Sequence, residues 1–559
     1  MKNLVKLFLL GAAFALIFSG LPAASNAQGG GGVVIEATFG SGPNTFSPLF
    51  CNDTACSRVV GRMFVGLLGT DPVAQSIAKG VPGAMAEDWT ISEDGRTVTF
   101  NLVKGAKWTD GTEITAKDYL FSWEVAQNEA TNSFLTFYAG LIESVEAPDD
   151  YTLVVTHKVP SCRVLANSAL PFVPSHIYAE TAPEALRDLP FNTAPTVTSG
   201  QFKFNEFRVG DQTSLVANPD YQYGAVKLDG FIYKVVPDQT VLVEQFLAGE
   251  TNIIDGAPVN RRSDIKDAED RGEVNVLDFP GTSWDYLALN FADPTNPQNG
   301  LDADGNPIDQ GKHPLFGDIK VRQAIARAID VDSIVKGAVF GEGTRMAANL
   351  IPTSWGTDPD LQPIPYDPEA AKALLAEAGW TPGADGILVK DGTRFSFTLF
   401  TNQGNTRREA IGTIVKDQLA QIGIEVDFQT IDFNVLIERF RSQTYDAFIL
   451  GWLNGYPADP DQTQLFARSS DVVGSGSNFT SWSNPRVDEL LQGGLSAEGC
   501  TDEARNVYYY ELQKLFQEEL PYIPMFVING QYAARANVNG FDPYPNELFW
   551  NIETWTVSQ

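Results

Sequence analysis

The stretch Ile411–Gln429, IGTIVKDQLAQIGIEVDFQ, sets the fold class. Ile411, Ile414, Val415, Leu419 and Ile422 recur at the three- and four-residue spacing of one helix face. Gly423 stops that pattern. Ile424, Val426 and Phe428 then alternate with Glu425, Asp427 and Gln429, the two-residue period of a half-buried strand. A helix, a glycine and a strand in immediate succession form one unit of an α/β layer. Further along, the apolar strand Ala447–Leu450 runs straight into Gly451-Trp452 and a loop rich in Gly, Pro and Asp. Ligands of open α/β sheets gather at strand ends of this kind. Towards the N-terminus, Val321, Ala324, Ile325, Ala328 and Ile329 repeat the helical spacing.

Earlier segments alternate in the same way. Val33–Thr38 reads as a first strand ending in the loop FGSGPNTFSP, and Arg58–Leu68 follows with helical spacing. Trp89–Val103 reads as a hairpin around the Asp94-Gly95 turn, with Val98, Phe100 and Leu102 on one face. A helix from Thr115 to Glu124 opens with a threonine cap. Trp89, Trp108 and Trp123 read as packing residues. The chain has 559 residues, 43% hydrophobic, 11% aromatic and 19% charged, enough for two to four packed domains. Lys plus Arg number 39 against 70 Asp plus Glu, a formal charge of -31 that repels phosphate backbones and anionic lipid. Nucleic acid and membrane surfaces are therefore excluded as expected partners. Three histidines and four cysteines, widely spaced, argue against a His/Cys metal centre, and no cofactor is expected. No Gly-x-Ser-x-Gly or His-Glu-x-x-His run is present, so an enzyme is not the expectation.

Residues 1–27 read as a cleaved secretory signal peptide. Lys2 and Lys6 precede the apolar run Leu7–Leu21, which ends in Ala24-Ser25-Asn26-Ala27. That run is about 15 residues, short of the ~20 that span a bilayer. Residues 28–32 read as a Gly-rich tether. Export to the periplasm or extracytoplasmic space puts the cysteines under oxidising conditions, where Cys51 and Cys56 are expected to pair. Spacing alone leaves Cys162 and Cys500 either joined or free.

Five ordered segments, Ala86–Trp123, Ser199–Gly224, Val321–Asp330, Tyr366–Trp380 and Ser477–Leu491, carry a further signal. Their order and content resemble the extracytoplasmic solute-binding proteins of ABC importers, family 5, the peptide/nickel-binding group. The resemblance implies a two-lobed, type II-like periplasmic clamp with an extra α+β subdomain, enclosing its ligand between lobes. It divides the chain into lobe I (33–75, 196–284 and 525–559), the extra subdomain (76–195) and lobe II (285–524). Crossovers are expected near Thr196–Gly200 and Ser283–Asn290. The implied partners are an ABC permease with a separate ATPase, and the mature protein is expected to be a monomer.

Members of the group that bind peptides typically hold an aspartate near the end of a Gly-Trp-x-x-Asp-Tyr run, where this chain has Gly455. Asp285, Asp459 and Asp461 are the nearby substitutes. The dipeptide-selective members' arginine is missing from the loop Asn402-Gln403-Gly404-Asn405. The expected binding residues are the aromatics Phe46, Trp284, Tyr286, Trp452 and Tyr456 with the polar Asn402, Gln403, Asn454 and Asp459. Such a set suits an oligopeptide, with a cello- or xylo-type oligosaccharide as the alternative and a nickel chelate as a distant third.

Overall fold

The computed structural model describes residues 30–39, 42–74, 76–131, 133, 135–454 and 459–558. The expected signal peptide, Gly455 and Tyr456 lie outside these residues. The first lobe opens with β1 (Val33–Phe39) and α1 (Thr54–Met63). Asp53 caps α1, its carboxylate accepting from the Cys56 N–H. The helix stops at Met63, well before Leu68, because the Met63 carbonyl accepts from the N–H groups of Ser199 and Gly200. The Ser199 hydroxyl in turn accepts from Val65. A segment more than 130 residues away in sequence thus ends the helix that local spacing extended.

The subdomain holds β2 (Ala86–Ile91) and β3 (Thr97–Leu102), then α2 (Ala116–Gln127), α3 (Thr136–Leu141), β4 (Ile142–Asp149) and β5 (Thr152–His157). Its strands form one antiparallel sheet in the order β2-β3-β5-β4. The Asp94-Gly95 turn joins β2 to β3, with Gly95 at φ +68°, in the left-handed region that glycine occupies without strain. Asp118, three residues into α2, accepts from the Thr115 N–H and the Trp108 indole, so the helix start is tied to the core tryptophan.

After the subdomain come β6 (Phe202–Arg208), β7 (Gln212–Ala217), β8 (Gly230–Val236), β9 (Ile253–Asp255) and the 16-residue β10 (Val274–Leu289). The second lobe adds α4 (Ile319–Ala328), β11 (Ser396–Asn402), α5 (Thr406–Ala420), β12 (Glu425–Ile431), β13 (Ala447–Leu453), α6 (Pro485–Leu495) and α7 (Asp502–Glu519). The 14-residue β14 (Tyr522–Arg535) follows. These strands, with Gly343–Arg345 paired to β14, make an eleven-stranded sheet in the order β12-β11-β13-β10-β14-β9-β1-β8-β7-β6. The helix-glycine-strand unit of the sequence is α5, Gly423 and β12, with β12 parallel to β11.

The two long strands join the lobes. Residues Trp284–Leu289 of β10 pair with β13 in the second lobe, while its first half pairs with the end of β14 that also meets β9. A register shift between Pro280 and Trp284 marks the boundary. Of the segment expected as a crossover, Ser283–Asn290, residues Ser283–Leu289 form the end of β10, antiparallel to both β13 and β14. Thr196–Gly200, expected as the other crossover, leads from the subdomain into β6 and stays bound to α1. First lobe and subdomain share one core running from Val34 through Phe100 and Trp108 to Trp555. The second lobe packs one core around Ile325, Leu399 and Val415 and another around Tyr286, Phe448 and Phe516. Among the described residues no helix is long and apolar enough to cross a membrane.

Candidate ligand-binding cleft

Strand β13 ends at Leu453, beside a cavity of about 430 Å³ between the subdomain and the second lobe. That volume is within the range of small-ligand sites. The subdomain wall is built by Phe137 and Tyr138 of α3 and by Val159 and Arg163 beyond β5; Trp452, Leu453, Asn454 and the segment from Asp459 to Leu465 build the facing wall. Among the described residues, Phe137 at 56%, Val159 at 60%, Leu453 at 65% and Tyr138 at 37% stand exposed around it.

Trp284 forms the floor. It is fully buried, and its indole N–H donates to Asn454 Oδ1 at 3.0 Å. Half-buried Trp452 stacks on Phe479 at 5.7 Å and on Tyr286 at 6.3 Å, so its ring is wedged in the core while the residue lines the cleft. The chain passes Gly451 directly opposite Asp285. A Cβ at Gly451 would lie 2.7 Å from Asp285 Oδ1 and 2.8 Å from Arg408 Nη2, so only glycine permits this approach.

Among the described residues, the charges facing the cavity pair with one another. Asp461 accepts from Arg163 Nη1 at 2.6 Å, and its other oxygen accepts from the backbone and hydroxyl of Thr463. Arg505 donates two bonds of 3.1 Å to the two oxygens of Asp459, and Arg163 Nε lies 3.8 Å from the same carboxylate. Burial opposes both guanidinium charges, but the carboxylates outweigh it and raise both pKa values. His157, buried beside Ser168, is pushed down to about 4 by burial and is neutral at pH 7.

The expected site residues therefore separate. Trp284, Trp452, Asn454 and Asp459 line one cavity. Tyr286 is fully buried behind Trp452 and stacks on Tyr522 at 4.2 Å, so it supports the wall instead of touching the cavity. Phe46 is 1% exposed, packed between Phe204 and Phe207 in the first lobe, because the loop after β1 folds inward onto β6. Asn402 accepts from Arg408 at 3.0 Å, and Gln403 is exposed on the loop beyond β11; neither is among the described lining residues. Asp285 is fully buried and taken up by Arg407 at 2.6 Å and Arg408 at 3.1 Å, so it is no substitute for a missing anchor. Tyr456 lies outside the described residues.

Sequence reasoning missed the whole subdomain wall. Consecutive aromatics such as Phe137 and Tyr138 lie about 100° apart around a helix, so a helix burying one narrow stripe leaves at least one of them exposed; that was the available signal.

A two-lobed sheet joined by paired long strands is the architecture that the sequence resemblance implied, but the cavity, expected between the lobes, lies between the subdomain and the second lobe. The family model for bacterial extracellular solute-binding proteins, family 5 Middle, matches residues 80–473. The chain belongs to this family. Family 5 membership makes it a solute-binding protein and not an enzyme. Oligopeptide-binding protein AppA of Bacillus subtilis is 31% identical, with 95% of this chain and 92% of that protein covered. A dipeptide-binding protein of Escherichia coli is 26% identical, with 92% of each chain covered. The solved structure of B. subtilis AppA in complex with a nonapeptide superposes with a TM-score of 0.77 at 29% identity, covering 95% of this chain and 100% of that one. The four cysteines of this chain form two disulfides: Cys51 with Cys56, as expected, and Cys162 with Cys500.

Proposed function

We propose that this chain is the oligopeptide-capturing component of an ABC importer, working as an extracytoplasmic monomer released by cleavage after residue 27. It holds its ligand in the cleft between subdomain and second lobe and passes it to a membrane permease energised by a separate ATPase. The observation that carries this reading is identity over almost the whole chain to an oligopeptide-binding protein, whose peptide-bound structure has the same fold. The cleft supports it: aromatic and aliphatic walls suit side chains, while Asn454, whose Oδ1 takes the Trp284 indole, has an amide nitrogen to offer a peptide carbonyl.

Mass spectrometry of ligand released from natively purified protein, followed by calorimetry with a peptide library and with cello- and xylo-oligosaccharides, tests it. Peptides are expected in the eluate and binding in the library. Binding confined to the oligosaccharides would overturn the peptide reading.

A further inference from the structure

Among the described residues the charged groups on the cleft walls balance, two guanidinium groups against two carboxylates. Among the described lining residues the ionised side chains are Arg163, Asp459 and Asp461, and Arg505 completes the pairing of Asp459. A peptide ammonium at Asp459 would compete with a two-pronged arginine contact, the strong kind of charge-assisted hydrogen bond. Arg163 gives Asp461 one bond at 2.6 Å and keeps its Nε without a hydrogen-bond partner, but two guanidinium groups here face two carboxylates, so a terminal carboxylate meets no net positive charge.

What the walls do offer is apolar. Phe137 and Val159 on one side face a cavity shared with Trp452 and Leu453 on the other. Exposed apolar residues clustered around a cavity mark a place that something apolar covers. Phe137 and Tyr138 also meet edge to face at 5.3 Å, which holds the pair as one surface.

Building on the peptide reading, we propose that this cleft selects peptides by a bulky apolar side chain gripped between Phe137, Tyr138 and Val159 of the subdomain and Trp452 and Leu453 of the second lobe. Neither peptide terminus is captured by an ion pair. The subdomain is thus a specificity-determining wall of the site.

The test is calorimetry with alanine-based hexapeptides carrying Ala, Leu, Phe, Asp or Lys at each position in turn, each made with free ends and with N-acetyl and C-amide blocks. Affinity is expected to rise from Ala to Leu or Phe at one position, by about fourfold per buried methylene, and to fall for Asp and Lys. Blocking the ends is expected to change affinity by less than about threefold, against the roughly tenfold or more that losing a charge-assisted bond costs. Phe137→Ala, at an exposed position, is expected to erase most of the Leu and Phe preference while leaving the unfolding midpoint in place. In Asp459→Asn the ratio of free to blocked affinities is expected to stay as in the wild type, a comparison that holds even if this variant is less stable. Loss of binding on blocking, or equal affinity for Phe and Asp peptides, overturns the inference and leaves the peptide reading standing. Failure of every peptide, free or blocked, removes both.

Discussion

Cys162 of the subdomain and Cys500 of the second lobe are bonded across the rim of the cleft, 338 residues apart in sequence with Cα atoms 5.2 Å apart. The neighbouring contacts reinforce the link. The Cys162 N–H donates to the Leu495 carbonyl at 2.7 Å, and Arg163 reaches Asp461. Two-lobed binding proteins open and close about a hinge, and here the hinge strands β10 and β14 are supplemented by a covalent tie on the cleft side.

Lobe opening should therefore be small in the oxidised protein. Small-angle scattering is expected to show nearly the same radius of gyration with and without ligand, whereas the Cys162→Ser/Cys500→Ser double variant expands when empty and compacts on binding. Equal behaviour of the two proteins would show that the tie does not limit opening. Because the bridge closes a long loop, the variant should also lose up to about 5 kcal/mol in urea unfolding.

Two tryptophans should respond in opposite ways. Trp452→Ala removes a residue that lines the cleft and whose ring backs its wall, and calorimetry should show binding weakened by about 1–3 kcal/mol from lost stacking and buried area. Trp108 is 1% exposed in the core shared by lobe and subdomain, so Trp108→Ala should cost about 3–5 kcal/mol of stability while the folded fraction binds normally. Unchanged affinity in a folded Trp452→Ala protein would assign that ring to packing alone.

Asp285 carries a structural charge. Removing it with Asp285→Ala leaves Arg407 and Arg408 without their buried counter-charge, and chemical denaturation should register a loss of about 3–5 kcal/mol. Replacing both arginines by methionine in the same background should restore part of that loss. If the single variant is as stable as the wild type, the ion cluster contributes nothing.

Glu36 links stability to pH. Burial pushes its carboxyl up to about 7 from 4.5, against the pull of Arg58 at 3.5 Å. The folded state therefore holds this proton more tightly than the unfolded chain, and stability from this group is lost as pH rises from 4.5 to 7 and is level above that. Relative to the wild type, Glu36→Gln should gain about 3 kcal/mol between pH 4.5 and pH 8. Parallel stability curves for the two proteins over that range would contradict the assignment.

Local order along the chain was enough for the elements whose signals are themselves local. The α5-Gly423-β12 unit, the Asp94-Gly95 hairpin and the Thr115 cap depend on periodicity, turn conformation and capping within a few residues, and the structure has them where the sequence places them. The small loop between Cys51 and Cys56 is of the same kind. Periodicity says that a side chain is buried, but not against what. Trp284 and Trp452 reached the cleft, while Phe46 and Tyr286, equally aromatic and equally close to loops or strand ends, were absorbed by packing partners from distant segments. The engagement of Asp285 by Arg407 and Arg408, the pairing of Cys162 with Cys500 and the placing of Phe137 and Tyr138 on one cavity with Trp452 bring together residues more than 100 positions apart. Such contacts arise only when the lobes assemble, because charge neutralisation and shape are properties of facing surfaces, and a single stretch of sequence contains only one of the two faces.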